Sequence, residues 1–140
     1  MLNLHDMNLV GEISETLGKI EFLEQLHLSN NSLSGTVPVS LFELDLRGLY
    51  LQHNELSGDI PGGFVWSYLK RLDLSYNNLT GGVPQVLTTH AYQLEYLHLE
   101  GNPDLVVDSD LCESSFYSRQ EEDTDSACKV RVEDEDPSSD

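Results

Sequence analysis

The side chains that could do chemistry in this sequence recur at a regular spacing and do not gather in one motif. His27, Tyr50, Asp73 and His98 are separated by 23, 23 and 25 residues. Asp73 and His98 suggest an acid–base pair that could activate a serine, but no nucleophile motif or oxyanion site accompanies them. The histidines also lack the short ligand spacing of a metal site. We therefore predict no catalysis, metal or other cofactor. The histidines could make binding depend on pH between about 5 and 7.

The residues around these side chains repeat with the same period. Asn31, Asn54 and Asn77 are 23 residues apart, and each opens the motif Asn-x-Leu-[Ser/Thr]-Gly-x-[Ile/Val]-Pro after a Leu-x-Leu pair. A partial copy precedes them, with Met7 at the asparagine position, and another follows, with Asn102. A fixed period of this length indicates a solenoid.

The repeated residue types predict the elements of each repeat. Leucines that alternate with variable residues follow the period of a strand, and stacked repeats would bury these leucines in one core beside a parallel sheet. Each fully buried leucine contributes about 1.5–3 kcal/mol. We expect Asn31, Asn54, Asn77 and Asn102 to hydrogen-bond backbone groups where the chain leaves each strand, as a ladder. The glycine of each motif predicts a tight bend or a positive φ, and apolar residues after the proline predict a short helix or 3₁₀ turn.

The motif, complete in Asn31–Pro38, Asn54–Pro61 and Asn77–Pro84, resembles the plant-type subclass of leucine-rich repeats. That subclass occurs in receptor-like kinase ectodomains, receptor-like proteins and polygalacturonase-inhibiting proteins. The resemblance implies an α/β solenoid, namely a right-handed coil of about five repeats. In such a coil a parallel β-sheet forms the concave side, and short helical or 3₁₀ segments form the convex side. It also implies recognition of a protein or peptide ligand by the concave face.

Two regions follow from the pattern. We predict a leucine-rich repeat domain over residues 1–112 with a C-terminal cap near 103–117, because Gly101–Leu105 followed by Cys112 resembles the way such arrays close. Residues 113–140 form an acidic tail whose low hydrophobicity and high charge predict disorder. The first repeat begins inside its strand and without a polar cap, so we expect the chain to be a fragment or the product of a truncated gene. The alternative is that Met1 is the true start and that the first repeat caps itself poorly.

Strand alternation assigns the side chains that point outward from the concave sheet. Tyrosine and arginine are among the residue types enriched at protein interfaces. The alternative for each residue is a solvated side chain without a partner. The residues that we predict to bind a partner are His27, Tyr50, Gln52, His53, Arg71, Asp73, Tyr76, Tyr96 and His98.

The charge of the chain narrows the classes of partner. The 140 residues include 25 acidic and 7 basic side chains, for a net charge of −18, which disfavours binding to nucleic acid or anionic lipid. The sequence contains no run of about 18 apolar residues that could cross a membrane, so we expect no direct membrane insertion. Nothing in the sequence indicates an oligomeric state.

Three features depend on the cellular compartment. The N-terminus lacks the basic start and apolar core of a secretion signal, so extracellular, cell-surface and cytoplasmic locations all stay open. Glycosylation sequons begin at Asn30 and Asn78 and would be used only in the secretory pathway, although the repeat motif also creates such triplets by chance. Cys112 and Cys128 could form a disulfide in an extracellular chain and would be free thiols in a reducing cytosol.

Three functional hypotheses remain. The leading one is a non-enzymatic recognition module of receptor-type signalling or defence. The second is a piece of a larger receptor-like protein or kinase ectodomain without independent function. The third is an inhibitor that docks on a secreted hydrolase, as polygalacturonase-inhibiting proteins do.

Overall fold

One strand from each of five successive repeats forms a parallel sheet, the concave sheet. The computed structural model describes residues 1–62, 68–84, 87 and 94–107 of the protein. The register aligns Leu26, Leu49, Leu72 and Leu97 across neighbouring strands. In spatial order the strands are β1 (Leu2–Asn3), β3 (Gln25–His27), β5 (Gly48–Tyr50), β7 (Arg71–Asp73) and β9 (Tyr96–His98). The predicted leucine-rich repeat solenoid with a parallel sheet is confirmed.

A second set of short parallel strands follows the asparagines, and the sequence did not predict it. β2 (Val10–Glu12) pairs with β4 (Ser32–Ser34). β8 (Asn78–Gly82) lies between β6 (Ser57–Asp59) and β10 (Asp104–Val106). These strands have three to five residues. They lack the Leu-x-Leu pair by which the concave strands are recognised in the sequence.

The glycine of each motif lies within or beside these second strands. Gly58, at the centre of β6, has a φ of +77°, and Gly35 and Gly81 have φ values of +75° and +74°. The positive φ predicted for these glycines is confirmed. Such values favour glycine because a side chain is strained in the left-handed region.

Two 3₁₀ helices follow the second strands of the first two repeats. Helix η1 covers Glu15–Lys19, and the Ser14 side chain caps it by accepting a hydrogen bond from the Thr16 N–H. Helix η2 covers Val39–Glu43 and buries Leu41 and Phe42. Short 3₁₀ segments are therefore confirmed for these two repeats.

The core lies inside the coil and consists mainly of leucine. Leu26, Leu49 and Leu72 of the concave strands have no exposed surface. Leu51 and Leu74, two residues after Leu49 and Leu72, are equally buried. The first repeat is packed less completely, because Leu2, Leu4 and Leu9 are only partly buried against this core.

The asparagines form a hydrogen-bonded ladder along the coil. The Asn54 amide nitrogen donates to the carbonyl oxygens of Leu51 (3.1 Å) and Leu28 (3.0 Å), and its oxygen accepts from the Leu33 N–H (3.0 Å). Each rung therefore joins its own repeat to the preceding one. Equivalent bonds are made by Asn31, Asn77 and Asn102.

Several predictions concern residues outside the described ranges. They include the acidic tail over 113–140, the part of the predicted cap from 108 to 117, and both cysteines, Cys112 and Cys128. Residues 103–107 of the predicted cap are described. They contain β10, and the side chains of Leu105, within this strand, and of Val107, directly after it, are buried.

Leu51→Ala should lower the free energy of unfolding by about 2–5 kcal/mol, because the substitution leaves a cavity in a close-packed core. Urea denaturation of both proteins checks this value. Val10→Ala is the matched control, since Val10 is 78% exposed and loses little buried area. A loss below about 1 kcal/mol for Leu51→Ala would contradict the assignment of Leu51 to a tightly packed core.

Candidate ligand-binding face

The register of the concave sheet places the predicted partner-binding residues in columns. His27, Tyr50, Asp73 and His98 occupy the same position in successive strands. Gln25, Gly48, Arg71 and Tyr96 form the column beside them. Parallel neighbouring strands are about 4.8 Å apart, so side chains of one column contact each other.

Three stacked pairs of tyrosine and histidine rings cover this face, and we call them the aromatic stripe. The ring centroids of His27 and Tyr50 are 4.3 Å apart, with 11° between the ring planes. The pairs His53–Tyr76 and Tyr96–His98 have separations of 4.5 and 4.0 Å and angles of 7° and 8°. Each stack restricts the rotamers of both rings, so the stripe is a rigid surface.

Two glycines make room for tyrosines of the stripe. A Cβ atom on Gly48 would lie 2.9 Å from Cε2 of Tyr50, and one on Gly101 would lie 2.5 Å from Cδ1 of Tyr76. Real Cβ atoms do not approach other atoms so closely. The two rings therefore lie over the backbone because these positions have no side chain.

Asp73 lies on this face but beneath its surface, which differs from the outward position that alternation assigned to it. Only 4% of the surface of Asp73 is exposed. One carboxylate oxygen accepts from the N–H (3.0 Å) and the hydroxyl (2.6 Å) of Ser75, and the other accepts from the Tyr96 hydroxyl at 3.2 Å. Tyr96 reaches across from the next repeat and covers Asp73. The Asp73 carboxylate in turn positions the Tyr96 hydroxyl.

Burial and the Asp73 carboxylate raise the pKa of Tyr96 to about 12. The phenol is protonated at neutral pH and donates its hydrogen bond to Asp73, and the raised pKa extends this state to more alkaline pH. The Tyr96 ring is thus fixed by this hydrogen bond on one side and by the stack with His98 on the other.

Two histidines of the face have pKa values shifted in opposite directions. A hydrogen bond to Glu100, with 3.0 Å between Nδ1 and Oε1, raises the pKa of His98 against the opposing effect of burial. Burial pushes the pKa of Glu100 upward, but its hydrogen bond with His98, backbone donors and the His98 charge bring it below the ordinary value. Burial, followed by the charges of His5 and the N-terminus, lowers the pKa of His27.

The remaining predicted residues lie around the stripe. Gln52 is half-buried, and among the described residues its side-chain oxygen has no hydrogen-bond partner. Arg71 is exposed, and its Nε lies 4.0 Å from a carboxylate oxygen of Glu95. His53 is exposed with a φ of +57° and contributes through its ring stack with Tyr76.

Sequence reasoning missed two features of this face. Ser29 and Ser75 are buried beneath it, and Ser29 contacts the His5 ring with 2.7 Å between Oγ and Nδ1. The second feature is Glu100, which is the partner of His98. The alternation of His98 with Glu100 on one strand was the available signal, since residues i and i+2 share a face.

The asparagines of the two predicted glycosylation sequons lie at exposed positions. Asn30 is exposed at the margin of the concave face, beside His53 in the next repeat, and Asn78 is exposed at the start of β8. Within the described ranges, no group of three His, Cys, Asp or Glu side chains is arranged to hold a metal ion. In the same ranges, no helix has the length and apolarity that a membrane span requires.

Comparison with known proteins identifies the repeat. Two leucine-rich repeat family models match consecutive parts of the chain, residues 22–44 and 45–103. This chain is a leucine-rich repeat protein of the plant type. A leucine-rich repeat receptor-like serine/threonine-protein kinase of Arabidopsis thaliana, RGI4, is 46% identical to it over 43 residues, which are 31% of this chain and 4% of the kinase.

Solved leucine-rich repeat structures share the fold. The plant peptide hormone receptor RGFR1 in complex with RGF2 superposes with a TM-score of 0.70 and 36% identity, over 76% of this chain and 17% of the receptor. The BIR3–SERK2 complex of Arabidopsis thaliana gives a TM-score of 0.71 and 36% identity, over 83% of this chain and 63% of the matched one. The chain thus spans a small part of RGI4 and RGFR1.

Glu100→Gln should lower the pKa of His98, because it replaces the charged acceptor of the His98 hydrogen bond with a neutral one. An NMR titration of the histidine ring protons measures this. The pKa of His98 should start above 6.5 and that of His27 below 6.5 in the parent protein. Glu55→Gln, an exposed carboxylate elsewhere, is the control and should leave both values unchanged.

The sign of the stability change follows from the same shifts. The raised pKa of His98 means that its stabilisation is complete below pH 6.5 and is lost as the pH rises through its folded-state pKa. The lowered pKa of Glu100 means that its contribution is present above pH 4.5 and is lost as the pH falls through its folded-state pKa. An unchanged His98 pKa in Glu100→Gln would contradict this pairing.

Proposed function

We propose that this leucine-rich repeat protein recognises a protein or peptide through the aromatic stripe of its concave face and that it is not an enzyme. The observation that carries the proposal is the set of three stacked tyrosine–histidine pairs along one sheet face. Stacked rings lose little conformational entropy when a ligand binds, which lowers the cost of association.

Exposed side chains on the stripe and at its margin suit a peptide ligand. Tyr76 is 49% exposed, so it offers apolar ring area to a partner. Arg71, exposed at the margin, offers a cation to a carboxylate.

The hydrogen bonds on the face argue against hydrolytic chemistry. Ser75 donates its hydroxyl proton directly to Asp73, and His98 contacts Glu100 and Tyr96. In a Ser-His-Asp triad a histidine base lies between the serine and the carboxylate, and no histidine lies between Ser75 and Asp73. The observed bonds instead use these groups to fix side chains, which suits a binding surface.

The relatives favour a role as part of a receptor ectodomain. RGFR1, which shares this fold, is described as a peptide hormone receptor in complex with RGF2. By analogy we propose that the ligand is a peptide or a protein segment and that the site is extracellular or at the cell surface. The chain covers 17% of RGFR1, so in our proposal it supplies a segment of a longer binding surface.

Tyr50→Ala combined with Tyr76→Ala tests this function. A peptide display library is selected against the immobilised full-length chain, and the dissociation constants of the selected peptides are measured by isothermal titration calorimetry. We expect the double variant to bind at least about tenfold more weakly, because it removes two anchors of the stripe.

The matched control is Val10→Ala combined with Val39→Ala, which truncates two exposed apolar side chains outside the concave sheet. Its dissociation constants should stay within about twofold of the parent values. Peptides that bind the tyrosine double variant as tightly as the parent chain would show that the stripe is not the recognition surface.

A further inference from the structure

A second surface lies at the edge where the concave strands begin, and we call it the strand-start groove. It has a volume of about 500 Å³ and is lined by the segments that lead into β3, β5 and β7. It is separate from the aromatic stripe, because none of the stripe's tyrosines or histidines lines it.

The centre of the groove is a row of three equivalent side chains. Phe22, Asp45 and Tyr68 each come directly before the first leucine of a repeat, and these leucines, Leu23, Leu46 and Leu69, are all buried. The buried leucines fix the row, which alternates aromatic ring, carboxylate and aromatic ring across three stacked repeats. With neighbouring repeats about 4.8 Å apart, the two aromatic positions are separated by about 10 Å, with the carboxylate between them.

Both aromatic side chains are displayed to solvent. Phe22 is 94% exposed and Tyr68 is 56% exposed. The backbone of Phe22 has a φ of +65°, a conformation that bulky residues seldom adopt. A phenylalanine that contributes almost nothing to the core at this position is a large apolar group free to contact a partner.

The charges around the row are unbalanced. Glu21, Glu24, Glu43 and Asp45 line the groove with Arg47 as the one cation among its lining residues. No ion pair joins these groups to one another or to any other residue in the ranges that the structure describes. The groove therefore offers carboxylates that are available to a cation brought by a ligand.

We propose that the strand-start groove binds an arginine or lysine side chain from a basic segment of a protein partner. The cationic group lies between the Phe22 and Tyr68 rings and faces the Asp45 carboxylate. Aromatic faces attract cations through their quadrupole, and a carboxylate supplies the complementary charge and hydrogen-bond acceptors. Charge complementarity selects this occupant over an acidic or apolar segment.

The test uses the full-length chain and a short fluorescein-labelled peptide of alternating glycine and arginine, measured by fluorescence anisotropy in about 0.15 M salt. A peptide with glutamine in place of arginine should not bind. Phe22→Ser combined with Tyr68→Ser keeps every charge of the protein, and we expect it to weaken binding of the arginine peptide about tenfold. Asp45→Asn should weaken binding to a similar extent.

Glu55→Gln is the charge-matched control, because it removes one exposed carboxylate that does not line the groove. This variant should change the dissociation constant of the arginine peptide by less than about twofold, because it removes only a small part of the general attraction between an acidic protein and a basic peptide. Tyr76→Ala, on the aromatic stripe, should likewise bind the arginine peptide normally. This outcome separates the groove from the proposed concave site.

Three results would overturn the proposal. One is the absence of binding by the parent chain, and another is equal weakening by Asp45→Asn and Glu55→Gln, which indicates non-specific attraction. The third is parent-like affinity in the double aromatic variant. Circular dichroism of each variant checks that these substitutions at exposed positions leave the fold intact, and ¹H–¹⁵N NMR shift changes on peptide addition should be concentrated at residues 21–24, 43–47 and 68.

Discussion

The structure depends on the asparagine that follows each of the concave strands β3, β5, β7 and β9. The chain must turn there inside the coil, where backbone donors and acceptors cannot reach water and have to find partners. Asn54 solves this with one side chain that donates to Leu28 and Leu51 and accepts from Leu33. Because every rung joins two repeats, the ladder fixes both the spacing and the register of the stack.

That register determines what the outer surface can do. It aligns the variable residues of the Leu-x-Leu pairs into columns, so that a tyrosine of one repeat stacks on a histidine of the preceding one, as Tyr50 does on His27. The same alignment places Phe22 and Tyr68 on either side of Asp45 at the start of the strands. One set of repeated residues thus builds the fold, and the residues between them form two chemically different surfaces, one aromatic with histidines and one aromatic with carboxylates.

The sequence was sufficient for the features that depend on period. Leucine alternation predicts the concave strands and their outward columns, and the recurring glycine predicts the positive φ of Gly58. The sequence was insufficient where contacts with neighbouring side chains determine whether a residue is exposed and how its side chain lies. Asp73 was expected at the surface, but Tyr96 reaches over it from the next repeat and hydrogen-bonds its carboxylate. Tyr50 lies flat because position 48 is glycine. The second strands escaped prediction because they lack the Leu-x-Leu pair that marks the concave strands.

Hydroxyl-radical footprinting of the full-length chain with and without a selected peptide tests most directly whether the aromatic stripe is the recognition surface. The method reports the solvent exposure of individual side chains by mass spectrometry. Our account predicts that oxidation of Tyr76 and His53, which are exposed in the free protein, falls when the peptide is bound. Oxidation of the exposed Val10 and Val39 should stay unchanged. Equal oxidation of Tyr76 and His53 in the free and bound protein would contradict the account.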